Sequence, residues 1–194
     1  QNCSFHDDFF ALLRGWAESG NMEPWSKLRL LLTIATEPTL LDSIDHSSFF
    51  ALANPIRLGH LTREQTDRMA AMYGIPSRSA ALDQLETLTN GHPYLVRLAL
   101  YQAAVREVGI EQILSSAPDT GVFAYHLKSL HHWLDEQQLL SMLTCIIRNN
   151  THQLSFKDYC RLYSHGFIIE DSACVFRLRC PLYTQYFESL LQIG

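Results

Sequence analysis

The sequence predicts a mostly helical fold with a small amount of β-structure. Apolar residues recur at the three- and four-residue spacing of amphipathic helices through most of the 194 residues. Short apolar and β-branched runs interrupt that pattern near residues 28–36 and again near the C-terminus. Hydrophobic residues make up 47% of the chain and charged residues 18%, so the chain can bury a core and is not expected to be disordered.

The first third of the chain combines one helix with short strands. Phe9, Leu12, Leu13 and Trp16 lie at helical spacing and predict a helix over residues 5–19, which Gly20 ends. The apolar run over residues 28–36 is short and followed by Pro38, which predicts a fully buried strand. Residues 55–59 are predicted as a second short strand.

The middle of the chain is predicted to be helical. Thr62–Gln65 forms a capping-box pattern, and Gly74 ends the helix that it starts. A second helix is predicted over Ser79–Thr89. Pro93 suits the first position of a third helix, Tyr94–Glu107. The pattern predicts a short helix over residues 110–115, a loop over 118–121 and one or two helices over 122–149.

The C-terminal part follows a different pattern. Ser155 starts a helix that Gly166 ends, and Pro181 opens a final amphipathic helix. Between them, residues 167–169 and 175–178 are predicted as two strands, with Asp171–Ser172 in the turn. A helix, a hairpin and a helix after preceding helices are typical of a winged helix.

Composition and charge argue against several classes of function. The net charge of −5 does not suit a general nucleic-acid binder, which needs a basic surface to neutralise phosphates. The five cysteines are odd in number and lack a Cys-x-x-Cys pair, so we expect a reduced, cytoplasmic setting. No apolar run is long enough to span a bilayer and no signal-peptide pattern is present, so we expect no membrane partner. The chain begins with Gln1, and we expect further protein sequence upstream of it.

The sequence contains no motif for nucleotide hydrolysis or metal binding. A phosphate-binding loop ends in Gly-Lys-Ser/Thr, and no glycine in this chain precedes a lysine. The predicted strand over residues 28–36 lacks the final Asp that would hold magnesium. His131 and His132 are adjacent and therefore diverge on a helix, so we expect surface or hydrogen-bonded histidines and no metal site.

One segment resembles a known family. Gly91-His92-Pro93-Tyr94, within residues 85–101, resembles the matching segment of the AAA-like ATPase domain family of bacterial signalling proteins, part of the STAND NTPases. Four further segments resemble that family in its order: residues 8–16, 28–37, 61–65 and 180–187. The resemblance implies the end of an α/β P-loop core (1–60), a helical lid (61–120) and a winged helix (121–194), with Walker A and Walker B outside the chain. This chain alone is then not an enzyme, although a longer parent protein could be an ATPase, and ATP or ADP with Mg²⁺ is expected only with the upstream core.

The resemblance also implies three groups of nucleotide-binding residues. Thr36 and Glu37 end the predicted sensor strand, where a polar residue senses the terminal phosphate; the alternative is a strand-end cap. Gly91, His92 and Pro93 match the Gly-x-Pro motif, whose proline packs by the base and sugar; the motif also suits a helix start. Arg179 lies where related switches carry a residue that reaches the β-phosphate; the alternative is a solvated arginine.

Two other functions stay open from the residues alone. A winged helix can bind DNA, and Lys157, Arg161 and His165 make one helix face mildly basic, but neighbouring acidic residues balance that charge. The tryptophans and other aromatic residues could instead form a protein-interaction surface, although such residues are more often core. The resemblance favours a parent ATPase core or self-association as the partner.

Overall fold

The computed structural model is mostly helical, as predicted. It describes residues 5–20, 22–23, 25–27, 29–33, 56, 58–116, 118–150, 154–170 and 175–192. The described part contains nine α-helices: α1 Phe5–Glu18, α2 Arg63–Met72, α3 Ala80–Thr89, α4 Pro93–Arg106, α5 Ile110–Leu114, α6 Ala124–Glu136, α7 Leu140–Ile147, α8 Phe156–Ser164 and α9 Pro181–Leu191. Strands β1 Ile168–Glu170 and β2 Phe176–Leu178 follow α8. No helix within the described ranges is long and apolar enough to cross a membrane.

The chain divides into two compact units. The first comprises Gln1–Leu58 with Tyr159–His165, and the second comprises Gly59–Asp158 with Gly166–Gly194. Among its described residues, the first unit contains α1, most of α8 and a 3-10 turn, Trp25–Lys27. On α1, Leu13 is buried and Arg14 pairs with Glu18 one turn later. The predicted borders at residues 60 and 120 stay a prediction.

The strand prediction for residues 28–36 was wrong where the structure describes the segment. Residues 29–33 have no regular secondary structure, and Leu31 is 85% exposed. Strands need a neighbouring strand for their backbone hydrogen bonds, and the described residues form a single sheet, β1–β2. Thr36 and Glu37 lie outside the described residues. Ile56 and Leu58, from the second predicted strand, are also exposed and irregular, whereas Pro55 and Arg57 lie outside.

Local signals in the sequence set the ends of the helices in the second unit. Thr62 accepts a hydrogen bond from the Gln65 backbone N–H, and the Gln65 side chain accepts one from the Thr62 N–H, so the predicted capping box is confirmed. The Ser79 side chain caps α3 by accepting a hydrogen bond from the Leu82 backbone N–H. Pro93 and Pro181 occupy the first turns of α4 and α9. Each cap satisfies donors that the helix itself leaves free.

One hydrophobic core runs through the second unit. Helices α2 to α5 contact one another, and α9 contacts α3, α7 and β2. The fully buried side chains include Leu82, Leu85, Leu95, Leu100, Leu127, Leu143, Phe167, Tyr183 and Phe187. The rings of Trp133 and Phe167 stack with centroids 5.4 Å apart. Helix α9 therefore joins the C-terminal elements to the α2–α5 group.

The two strands form an antiparallel hairpin, as predicted, with Ile168 opposite Leu178 and Ile169 opposite Arg177. Ile168 and Leu178 are buried, while Arg177 is exposed. The Arg179 backbone N–H donates to the Phe167 carbonyl at 2.8 Å, which extends the pairing by one residue on each side. The predicted turn at Asp171–Ser172 lies outside the described residues.

The buried face of α3 provides a test of this core. Leu85→Ala removes a fully buried side chain, and we expect it to lower the free energy of unfolding by about 2–5 kcal/mol. Leu88→Ala, on the same helix at a half-buried position, is the control and should cost about 1 kcal/mol. Urea unfolding followed by circular dichroism measures both. Equal losses would contradict the assigned burial.

Candidate functional site

The structure places most of the predicted site residues at two chain junctions. Gly91 and His92 lie between α3 and α4, and Pro93 is the first residue of α4. Arg179 lies between β2 and α9. Thr36 and Glu37 lie outside the described residues, so their predicted role is not tested.

A hydrogen bond brings these two junctions together. Asn90 ends α3 in the left-handed conformation, with φ of 50°. Its side-chain Nδ2 donates to the Arg179 backbone carbonyl at 3.0 Å, across 89 residues of sequence. The Gly91-His92-Pro93 segment therefore lies beside Arg179.

Only glycine fits at position 91. Gly91 is buried and has φ of +67°, a conformation that side chains disfavour. A Cβ atom there would lie 2.4 Å from the Leu61 carbonyl oxygen. The Leu61 N–H also donates to the Gly91 carbonyl at 2.8 Å. The turn before α4 is thus fixed by close contact between two backbone segments.

His92 lies at the start of α4 and makes no side-chain cap. Its Nδ1 atom is buried and has no hydrogen-bond partner in the structure. Burial lowers the pKa of His92 to about 4, and the Arg179 guanidinium, His126 and His60 lower it in the same direction. The ring is therefore neutral at neutral pH.

Two aromatic residues beside His92 were not predicted as part of the site. His126 Nε2 lies 2.8 Å from the Tyr183 hydroxyl, and both rings lie about 6 Å from the His92 ring, at 6.3 and 6.1 Å respectively. Burial lowers the pKa of His126 and raises that of Tyr183, so both are neutral at neutral pH. Because His126 and Tyr183 are 57 residues apart, no local spacing could have indicated their contact.

Arg179 is half-buried rather than solvated. Its Nη1 lies 3.4 Å from His60 Nε2, a contact that the sequence analysis also missed. Its Nε is buried and has no hydrogen-bond partner in the structure. Gly166 lies close by, since a Cβ there would be 3.4 Å from that Nε. A buried guanidinium N–H without an acceptor is costly, and a bound oxyanion or water would satisfy it.

An open cleft of about 380 Å³ lies against Arg179. Its lining includes Thr87, Asn90, Arg177, Arg179, Thr184 and Gln185. The charged groups in this lining are two arginines, and hydroxyl and amide groups provide further donors. Such a lining suits an anionic group, because guanidiniums bind phosphate through charge-assisted hydrogen bonds.

A thiol in the cleft is not ionised at neutral pH. Burial raises the pKa of Cys180 to about 11, so it does not act as a thiolate. No group of three or more His, Cys, Asp or Glu side chains in the described part of the chain is arranged to hold a metal ion.

The comparison with protein families settles the identity of the chain at the family level. The family model described as an AAA-like domain matches residues 1–189. The chain belongs to the AAA-like domain family. No curated protein and no solved structure matches the chain. The resemblance drawn from Gly91-His92-Pro93-Tyr94 is confirmed at that level, while membership of the STAND group stays a prediction.

The turn before α4 of this AAA-like domain can be tested by substitution. Gly91→Ala forces a left-handed alanine and a clash with the Leu61 carbonyl. Gly74→Ala is the matched control, because Gly74 has a similar φ of +72° but open space around its Cα. We expect about 1–2 kcal/mol of destabilisation for Gly74→Ala. Gly91→Ala should cost at least about 1 kcal/mol more, the value of a hydrogen bond.

The two variants are compared by urea unfolding under identical conditions. A difference between them isolates the effect of the Leu61 contact from the effect of the backbone conformation. Equal destabilisation would show that the AAA-like domain does not depend on this close approach.

The lowered pKa of His92 predicts that stability falls in acid. The unfolded chain takes up a proton near pH 6.5, but the folded chain takes it up only near pH 4. Stability from this group is therefore complete above pH 6.5 and is lost as the pH falls towards 4. The loss is at most about 3 kcal/mol, because one pKa unit corresponds to about 1.4 kcal/mol.

His92→Phe keeps a ring but removes this titration, so the variant should lose less stability than the wild type between pH 6.5 and 4. Some loss should remain, because the pKa of His126 is lowered too. His132→Gln, at an exposed position on α6, is the control and should behave like the wild type. Parallel stability curves for His92→Phe and the wild type would contradict the assigned burial of His92.

Proposed function

We propose that this AAA-like domain is the C-terminal part of a STAND-type nucleotide-dependent signalling switch. It couples the ATP or ADP state of a parent ATPase core to a conformational change. In this proposal residues 1–60 end the nucleotide-binding core, residues 61–120 form the lid and residues 121–194 form the winged helix. The switch works in the cytoplasm, and its partner is the parent core or a second copy.

The observation that carries the proposal is the Asn90–Arg179 hydrogen bond. It joins Gly91-His92-Pro93, the segment predicted to pack against the base and sugar, to Arg179, which is predicted to reach the phosphate. These two groups would contact opposite ends of one nucleotide, so their proximity supports a shared ligand. The unsatisfied Arg179 Nε and the two arginines in the cleft fit the phosphate end.

Each side chain has a role in the proposed site. Pro93 and the neutral ring of His92 would pack against the base and sugar. Arg179 would donate hydrogen bonds to a phosphate oxygen. Mg²⁺ and the hydrolytic chemistry would belong to the upstream core, which would supply Walker A and Walker B. This chain would sense the nucleotide and would not cleave it.

The Asn90–Arg179 contact would also hold the proposed switch in its closed arrangement. It connects the proposed lid to the proposed winged helix, and α9 packs on α3 beside it. A nucleotide that contacts both parts would stabilise the closed arrangement, and its loss would favour an open one. No finding favours the alternative of DNA binding or of a nucleotide-free interaction module.

The coding DNA immediately upstream of the Gln1 codon tests this proposal. We expect an in-frame glycine-rich loop ending in Lys-Ser/Thr, followed by a strand ending in Asp, because both motifs are needed to hold the phosphates and Mg²⁺. A start codon directly before Gln1 would overturn the proposal.

A binding measurement on the polypeptide that includes those motifs then tests Arg179. Arg179→Ala should weaken ATP binding by roughly 10- to 100-fold, the range expected for a charge-assisted hydrogen bond. Arg97→Ala, which removes an exposed arginine from α4, should leave the affinity unchanged. Calorimetric titration provides both values. Equal affinities for wild type and Arg179→Ala would remove Arg179 from the site.

A further inference from the structure

His60 contacts the central arginine of the candidate site. It is half-buried two residues before the Thr62 cap, and its Nε2 lies 3.4 Å from Arg179 Nη1. A guanidinium can only donate, so the neutral His60 ring accepts this hydrogen bond.

Arg179 is therefore held at two points. The Asn90 amide binds its backbone carbonyl, and the His60 ring binds its guanidinium. These two contacts lie beside the cleft and restrict the position of Arg179. The buried Nε of Arg179 remains without an acceptor.

The charges around His60 favour its neutral form. Burial lowers the pKa of His60, and the Arg179 and Arg177 guanidiniums lower it further, while the hydrogen bond to Asn90 raises it. The neighbouring titratable ring, His92, is neutral because its pKa is also lowered. Both charged groups that act on His60 are cationic, so a bound anion would weaken their effect on the pKa of His60.

We propose that binding of a phosphate-type anion in the cleft is coupled, through the Arg179 guanidinium, to proton uptake by His60. An anion on Arg179 offsets the positive charge that disfavours a proton on His60. By linkage, a group that gains a proton on binding makes binding tighter as the pH falls. His60 is thus a positioning residue in the ligand-free protein and a proton acceptor when the anion binds.

The inference rests on the proposed function for the identity of the ligand, but not for the existence of the anion site. The phosphate could belong to a nucleotide or be free, and the coupling would be the same in both cases. Failure to find this coupling would not affect the test of the proposed function, which looks for Walker motifs upstream of Gln1. Conversely, an anion site could be found even if no Walker motif lies upstream.

Sulfate is the first probe, because its charge is constant between pH 7.5 and 5 while that of phosphate is not. The 194-residue chain is labelled for NMR, and the His60 ring signals are followed against pH with and without sulfate. We expect the His60 midpoint to lie below 6.5 without sulfate and to rise when sulfate binds. The dissociation constant for sulfate should fall with decreasing pH, by up to about tenfold per unit because one proton is taken up.

Four variants separate this coupling from general charge effects. The glutamine in His60→Gln can still accept a hydrogen bond from Arg179 through its amide oxygen, but it does not titrate. The sulfate affinity of this variant should therefore lack the increase at low pH that protonation of His60 gives the wild type. Arg179→Ala should raise the His60 midpoint and remove the effect of sulfate on it. Arg97→Ala and His132→Gln, both at exposed positions outside the candidate site, should keep the wild-type coupling.

ADP and pyrophosphate then distinguish the source of the anion. Tighter binding of ADP than of pyrophosphate, with the same dependence on His60, would support a nucleotide as the ligand. Equal binding would support the anion site alone. A His60 midpoint that sulfate does not move, or the same pH dependence of sulfate affinity in His60→Gln and wild type, would overturn the inference.

Discussion

The Asn90–Arg179 hydrogen bond is the interaction on which the candidate site depends. Asn90 reaches Arg179 because it ends α3 in the left-handed conformation, which turns the chain sharply before α4. Gly91 continues that turn and lies so close to Leu61 that a side chain would not fit. One tight turn thus sets the end of α3, the start of α4, the path of the chain into α2 and the position of Arg179.

The electrostatics of the site follow from this packing. The turn and α9 bring histidines and arginines together in a partly buried region. Protonating a histidine there costs more free energy than in water. His60 and His92 are consequently neutral, and Arg179 carries the charge. Arg179 is half-buried beside an open cleft, and one of its N–H groups lacks an acceptor. The region therefore carries positive charge that no neighbouring group in the cleft lining compensates. Such a region suits an anionic ligand, which is the class of ligand that the proposed function requires.

The same packing has a consequence for movement. Helix α9 contacts α3, α7 and β2, so the C-terminal elements and the α2–α5 group share one core. The polar contacts between them are concentrated at Asn90, Arg179 and His60. Opening the proposed switch would require these hydrogen bonds to break together with the apolar contacts of α9. A ligand that binds both sides would therefore have a strong effect on the equilibrium.

The sequence by itself determined the features that depend on neighbouring residues. The capping box at Thr62, the proline at the start of α4 and the hairpin follow from local chemistry, which is why they were predicted. The family was indicated by the resemblance of the segment around Gly91. Tertiary structure decided the rest. The residues at 29–33 are apolar enough for a strand, but in the part of the chain that the structure describes no strand pairs with them. The contacts of His60 and His126 span 119 and 57 residues. Spacing along a chain cannot show which distant side chains meet, because that depends on how the helices pack.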